Sequence, residues 1–449
     1  MELLARSTNR IAWLTDQRKT LVFLLAISII VKTALFILGA VGNRAFDMGE
    51  GPPDLFAFGE VEGFKDYAAA YLPTVRAFKS GYMPYVDFWY AYPPLFLYTL
   101  TAFSYLPLGF LGPALPIVML DAFSAVPLYL IGLRFVSPKK SFVASLLFTL
   151  SPINLFYNDF LWLNPPLVTF FALLSTYFVL AGRYELSAVS LAASFGFKQT
   201  GLALFPVLLV LVLKRAGWKK ALGYVAFFVA VAVAISMPYL ATAPQHYLGC
   251  VTMFKLPFWP RPETGSEYYQ RIWPWWIETN TTQPVATYPV QGNSPVNSAF
   301  PVFVLASQGK QGDELFAYFN EFNGKAAVLL DLALLSSFCV LLLKVYRSRD
   351  VGDRGAVKYL LLSLILFHSF YERGVFKYYY ATVTPFLALF MSSRVRGALF
   401  VLFSFFTFLV PRYLSPWILL PFLAYVVLKQ PFISLLKRLH RDATADEKP

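Results

Sequence analysis

Charge is scarce: 14% of the 449 residues are Asp, Glu, Lys or Arg, against about 25% in an ordinary soluble chain. A single water-bathed globule around one core is thereby excluded. Cysteine and histidine are nearly absent, with two and three copies. Cys250 falls in an outer loop and Cys339 in an expected helix, which leaves no pair to bridge and no disulfide scaffold. The sequence also lacks a Walker phosphate loop, a GxGxxG after a strand, an HExxH pair and a metal-spaced Cys/His set. ATP-driven transport by this chain alone is therefore not expected. Ten-residue alternating segments are missing too, which excludes a transmembrane β-barrel.

What the chain has is hydrophobicity: 57% hydrophobic and 18% aromatic residues, gathered in blocks of roughly 15–25 residues between short basic loops. That pattern predicts an all-α polytopic membrane protein with a single transmembrane domain over residues 1–449. Residues 20–41 follow Arg6, Arg10, Arg18 and Lys19 without a small-residue cleavage site after them, and read as a retained first helix. Basic clusters recur at Arg134, Lys139 and Lys140, over 214–220 and 344–358, at Arg394 and Arg396, and after Lys429. The positive-inside rule makes these loops, both termini and the tail 429–449 cytoplasmic. Crossings are expected near residues 20–41, 112–134, 141–156, 166–182, 186–198, 200–213, 221–238, 326–345, 358–371, 380–392, 397–411 and 416–429, about 12 in all. Residues 93–110 are apolar enough to cross, but a crossing there would put the Arg134 cluster outside. They are assigned to the outer surface or to a re-entrant helix. The formal net charge of +13 is dispersed over short loops at the membrane surface, so no nucleic-acid partner is expected.

Two outer segments are long, residues 42–110 with their juxtamembrane helices and residues 239–325, and loops of this length are usually functional. The second carries Pro257-Phe258-Trp259-Pro260 and Ile272-Trp273-Pro274-Trp275-Trp276, which suit the headgroup region, and an Asn280-Thr281-Thr282 glycosylation sequon. The first is rich in carboxylates, and Asp66 stands out because it heads Asp66-Tyr67-Ala68-Ala69-Ala70-Tyr71-Leu72. At helical spacing Asp66 and Ala70 share a face, and the small residues beside the carboxylate leave room for a substrate. A plain helix-start carboxylate is the alternative. Lys32, Asp121 and Asp331 fall nominally in helices, where an ionisable group needs a partner, water or a reach to the interface. His368 is a candidate base or phosphate ligand, or a hydrogen-bonded residue near a helix end. No two carboxylates have the spacing of a known metal loop, so no metal ligands are assigned and a divalent ion is not indicated.

Residues 65–98, with Asp66-Tyr67, Gly81-Tyr82-Met83-Pro84-Tyr85 and Tyr92-Pro93-Pro94-Leu95, resemble the first outer loop of the GT-C integral-membrane glycosyltransferases, which use polyprenyl-phosphate sugars. Leu163-Asn164-Pro165-Pro166-Leu167, then a helix, then Ser194-Phe195-Gly196-Phe197-Lys198-Gln199-Thr200 with Pro206, is similar to a pattern in the alpha-mannosyltransferase and protein-mannosyltransferase-like branches. Residues 368–385, with Lys377-Tyr378-Tyr379-Tyr380 and Pro385, resemble the late outer loop of the same superfamily. The resemblance implies a GT-C-like helical bundle that moves a sugar, mannose by preference, from a polyprenyl (dolichyl-type) phosphate donor. The acceptor would be a glycan, lipid or protein on the extracytoplasmic face, with the bilayer and the lipid-linked donor as partners and no resident cofactor assigned. The resemblance carries the catalytic carboxylate to Asp66. It departs from the protein-mannosyltransferase pattern, which has an Asp-Glu pair where Asp66-Tyr67 stands.

A sugar on a lipid phosphate already has a competent leaving group, so the remaining needs are a base for the acceptor hydroxyl and cations for the phosphate. Asp66 is the candidate base, and one carboxylate acting alone predicts single displacement with inversion. Lys198, Arg373 and Lys377 are the candidate phosphate ligands, with a snorkelling helix-end cation as the alternative for each. Asp87, Tyr67, Tyr92 and Asp159 are the candidates for sugar or acceptor contact, Asp159 on a loop expected to face the same cavity. The rival class is a secondary transporter or flippase of lipid-linked sugars, which would show corresponding interrupted helices in two halves. One interrupted pair stands around Lys198, without a counterpart in the second half.

Overall fold

A computed structural model of the protein describes residues 16–47, 66–88, 90–251, 312–348, 351–370 and 377–409. Among these residues all regular structure is helical, and strand pairing is limited to an isolated bridge between Pro84 and Phe88. In chain order the helices are α1 (Gln17–Asp47), α2 (Leu72–Lys79), α3 (Pro94–Phe103), α4 (Leu115–Leu133), α5 (Pro138–Thr149), α6 (Pro165–Leu180), α7 (Tyr184–Phe197), α8 (Phe205–Thr242), α9 (Pro244–Val251), α10 (Gly312–Arg347), α11 (Asp353–Phe370), α12 (Thr384–Ala388) and α13 (Arg394–Leu409). Shorter turns fill the joints. Tyr67–Tyr71 and Leu155–Phe160 are π-helical, the latter continuing a segment Pro152–Asn154, and Gln199–Leu204 and Lys377–Thr382 are 3₁₀ turns. The expected crossing at 416–429, the tail, Arg373, the tryptophan motifs and the sequon lie outside the described residues.

Proline starts many of these helices: it occupies the first or second position of α3, α4, α5, α6, α8 and α12. A helix leaves its first N–H groups without internal partners, and in hydrocarbon such groups are costly, so a residue without an N–H fits there. Among the described residues, three helical stretches are long and apolar enough to cross a bilayer, Gln17–Val41, Leu115–Leu133 and Gln199–Thr242.

The first of these is built inside-out relative to a helix in water. Its buried stripe, Thr20, Leu24, Ser28, Lys32 and Gly39, recurs every four or seven residues and is largely polar. Its opposite face exposes Val22, Ile30, Ile37 and Val41, with Lys32 at 0% exposure and Ile30 at 68%. Apolar surface turned outward around a polar, paired interior is what a lipid solvent selects. Gly39 lets α1 approach closely enough that a Cβ there would collide with the Phe160 carbonyl oxygen.

α8 is broken at Gly217, whose φ of 82° belongs to the left-handed region. The rings of Phe205 and Phe228 meet with centroids 4.6 Å apart, whereas an unbroken helix would hold them about 35 Å apart. α8 is therefore a hairpin, with residues 214–220 at its turn and arms that correspond to the expected crossings at 200–213 and 221–238.

The basic loops meet at one end of the bundle. Arg134 Nε and Arg215 Nη2 donate to the two oxygens of Asp353 at 2.6 and 2.9 Å, Lys220 pairs with Glu185 at 2.7 Å, and Lys214 donates to the Val345 and Tyr346 carbonyls at 3.1 and 3.0 Å. One expected element takes another form. Residues 380–392 are not one straight helix but a 3₁₀ turn followed by the five-residue α12. α3 has ten residues, about 15 Å of helix, which is too short to cross alone. The core between α4, α6, α7, α8 and α11 is mainly aliphatic, with Leu128, Leu173, Leu191, Leu208 and Leu360 fully buried. A second buried region is aromatic and joins α2 and α3 to Trp162.

Candidate functional site

α7 has Glu185 in its first turn, at the basic end, and Lys198 directly after its last residue. About 20 Å of helix separates them, so Lys198 lies toward the other end of the bundle. Its backbone is extended (φ −163°, ψ 145°) between α7 and the 3₁₀ turn Gln199–Leu204. The chain doubles back here because Gly201 has no side chain: a Cβ would stand 2.7 Å from Ser194 Oγ and 2.8 Å from the Phe195 backbone nitrogen. A backbone atom cannot rotate aside. Gly201→Ala is expected to destabilise the protein by roughly 1–3 kcal/mol, as overpacking does, and a thermal unfolding midpoint equal to wild type would refute this. Gln199 Nε2 donates to the Ala91 carbonyl, tying the turn to the loop that carries Tyr92.

The Lys198 side chain is buried in an aromatic cage. Its Nζ lies 3.6 Å from the ring centroid of Tyr379, 5.2 Å from that of Tyr378 and 5.3 Å from that of Tyr92. Cation–π attraction is worth about 2 kcal/mol or more in such a desolvated setting. Nζ also donates to Asn164 Oδ1 at 3.1 Å. The Asp66 carboxylate lies close enough to attract this ammonium, and its Oδ2 accepts from the Tyr378 hydroxyl at 3.3 Å. Burial, with Tyr92, Tyr379 and Asp66 nearby, pushes the Tyr71 hydroxyl well above the usual tyrosine range, and burial beside Tyr379 and Asp66 does the same to Tyr378. Both remain protonated at neutral pH.

Every member of this cluster stands at a helix end or break. Asp66 precedes the π turn Tyr67–Tyr71, Tyr92 the start of α3, Asn164 the start of α6, Lys198 follows α7, and Tyr378 and Tyr379 lie in a 3₁₀ turn. Trp162, two residues before Asn164, has φ 57°, a region bulky residues rarely adopt. Its ring is held 4.9 Å from Tyr67 and 5.3 Å from Phe36, which fixes the chain in that conformation.

The structure brings Asp66, Tyr92 and Lys198 together. Tyr67 is adjacent but occupied: its hydroxyl donates to the Phe110 carbonyl and its ring packs on Trp162. Asp87 is exposed and accepts from the Met83 backbone N–H, closing its own turn rather than joining the cluster. Asp159 was expected to face the same cavity, and the structure places it elsewhere. Lys32 Nζ donates to Asp159 Oδ2 at 2.8 Å and also to Asp121, whose other oxygen accepts from Asn158 Nδ2 at 3.1 Å. Lys32, Asp121 and Asp159 are fully buried, so neither Lys32 nor Asp121 reaches the interface as a lone charge would. An ammonium inside the bundle draws the carboxylates inward. The network still touches the cluster indirectly, because Tyr157 on the same π turn packs against Tyr378 with centroids 6.1 Å apart.

Lys377 opens the 3₁₀ turn that presents Tyr378 and Tyr379, and its side chain lies outside what is described, as does all of Arg373. His368 is buried, its Nδ1 bonded to the Leu364 carbonyl at 2.6 Å. The cage residues Tyr378 and Tyr379 and the partner of Lys198, Asn164, were not among the sequence candidates. The signals were present in the Lys-Tyr-Tyr-Tyr run and in the Asn before two prolines. Among the described residues no group of three or more His, Cys, Asp and Glu is arranged to hold a metal ion.

Residues 125–258 match the family model of the ALG3 protein. Over this stretch, less than half of the chain, the sequence is similar to GT-C-type glycosyltransferases. The ALG3 family comprises mannosyltransferases that depend on dolichyl-phosphate mannose, and the apolar helices agree with its membrane residence. The matched stretch runs from within α4 to beyond α9 and contains Asn158, Asp159, Asn164 and Lys198, while Asp66, Tyr378 and Tyr379 lie outside it. No curated protein matches the sequence.

Proposed function

We propose that the protein transfers one mannose from a polyprenyl (dolichyl-type) phosphate to a glycan, lipid or protein acceptor on the extracytoplasmic membrane face, with inversion at the anomeric carbon. The observation that carries this reading is one carboxylate, Asp66, set beside one buried ammonium, Lys198, among tyrosines. Asp66 removes the proton from the acceptor hydroxyl as that oxygen bonds to the anomeric carbon. The bond from that carbon to the phosphate oxygen breaks, its electron pair leaves on the polyprenyl phosphate, and Lys198 stabilises the charge that develops there. Arg373 and Lys377, flanking the segment that leads to Tyr378, are assigned to the same phosphate, and Tyr92 offers a ring to the sugar. The extracytoplasmic assignment, with both termini cytoplasmic, is supported by the distance of Lys198 from the basic loops.

The test is transfer of radiolabelled mannose from polyprenyl-phosphate mannose by the purified full-length protein in detergent, with membrane lipid extract as the acceptor pool and polyprenyl-phosphate glucose in parallel. Mannose transfer with an inverted anomeric configuration in the NMR spectrum of the product is expected. A retained configuration would refute single displacement. No transfer from any polyprenyl-phosphate sugar, beside a control enzyme that works in the same acceptor pool, would favour the flippase.

A further inference from the structure

Asn164 occupies the N-cap position of α6 without capping it. Asparagine is favoured there because its side-chain oxygen accepts from the first free N–H groups of a helix. Here the first two helical residues are Pro165 and Pro166, which have no N–H to offer, and the N–H of the third, Leu167, is taken by the Asn164 backbone carbonyl at 3.3 Å. The Asn164 amide is thereby released from the usual task of its position, and it is fully buried.

Its Oδ1 accepts from Lys198 Nζ at 3.1 Å. Chemistry fixes this orientation, because an ammonium has only donors and must face the oxygen of the amide. Nδ2, on the same planar group, therefore ends beside the ammonium, and among the described residues it has no hydrogen-bond partner. Buried donors in native structures are nearly always paired, so an unpaired one beside a caged cation calls for an acceptor supplied from outside the chain. An acceptor that also answers a cation is an anion with several oxygens, such as a phosphate.

We infer that Asn164 binds the donor phosphate directly, through Nδ2–H, next to Lys198. This rests on the lipid-phosphate reading of the site given above. A monoester or diester phosphate has at least two non-bridging oxygens, so the ammonium and the amide N–H can each take one and fix the orientation of the leaving group. Holding Lys198 in place is the lesser alternative, and the two are separable.

The experiment is equilibrium binding of polyprenyl phosphate, the lipid product, to the full-length protein in nanodiscs, with uncharged polyprenol as the control ligand. Asn164→Leu, close in size and unable to donate, is measured alone and in a Lys198→Met background. Direct contact predicts that Asn164→Leu weakens polyprenyl phosphate binding by roughly 10-fold or more in both backgrounds, the worth of a hydrogen bond to a charged group, with polyprenol affinity unchanged. Silence of Asn164→Leu in the Lys198→Met background would show that the amide acts only through the lysine, overturning the inference while leaving the function intact. A parallel loss of polyprenol affinity would overturn it as well. If the wild type binds polyprenyl phosphate no better than polyprenol, the inference and the donor assignment fall together. Should Asn164→Leu not fold, Asn164→Ser, too short to reach both partners, is read by the same criteria.

Discussion

Asp66→Asn is expected to lower mannosyl transfer by about 10²- to 10⁴-fold, the usual worth of a positioned general base, while donor binding stays near wild type. The substitution keeps the size of the side chain and an oxygen that can accept from the Tyr378 hydroxyl. It removes the capacity to take a proton at neutral pH, together with the negative charge that attracts the Lys198 ammonium. Because the lysine and amide beside it are untouched, the loss belongs in kcat. A parallel collapse of polyprenyl phosphate binding would show instead that Asp66 is needed to hold the site together. Full activity of Asp66→Asn would leave the enzyme class standing and move the base to another residue.

Lys32→Met is expected to cost about 3–5 kcal/mol of stability, the penalty for breaking a buried ion pair by removing one partner. Asp121 and Asp159 would then face each other inside the bundle with only the Asn158 amide to answer them. A large fall in the thermal unfolding midpoint in detergent follows. Transfer activity falls with it, because the π turn that carries Asp159 also carries Tyr157 against Tyr378. Adding Asp121→Asn and Asp159→Asn to Lys32→Met should recover most of the midpoint, since exchanging a whole buried ionic cluster for neutral groups is often close to neutral. An unchanged midpoint in Lys32→Met alone would contradict the network as a structural element, and a triple variant no better than the single one would place the cost in lost packing.

These two experiments divide along what could be read without coordinates. Asp66 stood out locally, as a carboxylate heading a run of small residues, but spacing left a plain helix start open, and the resemblance to the GT-C first outer loop carried the catalytic role to it. Lys198 was legible for the same reason, as a cation between two short apolar runs. Asp159 was legible only as a carboxylate, and its partner could not be guessed. Lys32 is 127 residues away in the chain, and no local period connects them. The prolines after Asn164 announce a helix start, but that they free the amide becomes evident only when its oxygen is seen against Lys198. Tyr378 and Tyr379 were legible as part of a motif that resembles a late outer loop, but that their rings enclose Lys198 is visible only in the folded chain.

By itself the sequence determined the solvent and the class of fold, because scarce charge and long apolar blocks leave a helical membrane protein as the way to satisfy the backbone in hydrocarbon. It also placed the basic loops, whose ends the folded chain gathers around Asp353, since one excess charge after another along the chain is a local property. Tertiary structure alone decided the pairings: which carboxylate meets Lys32, which rings enclose Lys198, and that α8 folds back at Gly217 rather than continuing. The reason is physical. Hydrophobic periodicity turns a helix toward or away from its neighbours, but a buried charge takes its partner from whatever the packing of distant helices brings within about 3 Å, the reach of a hydrogen bond.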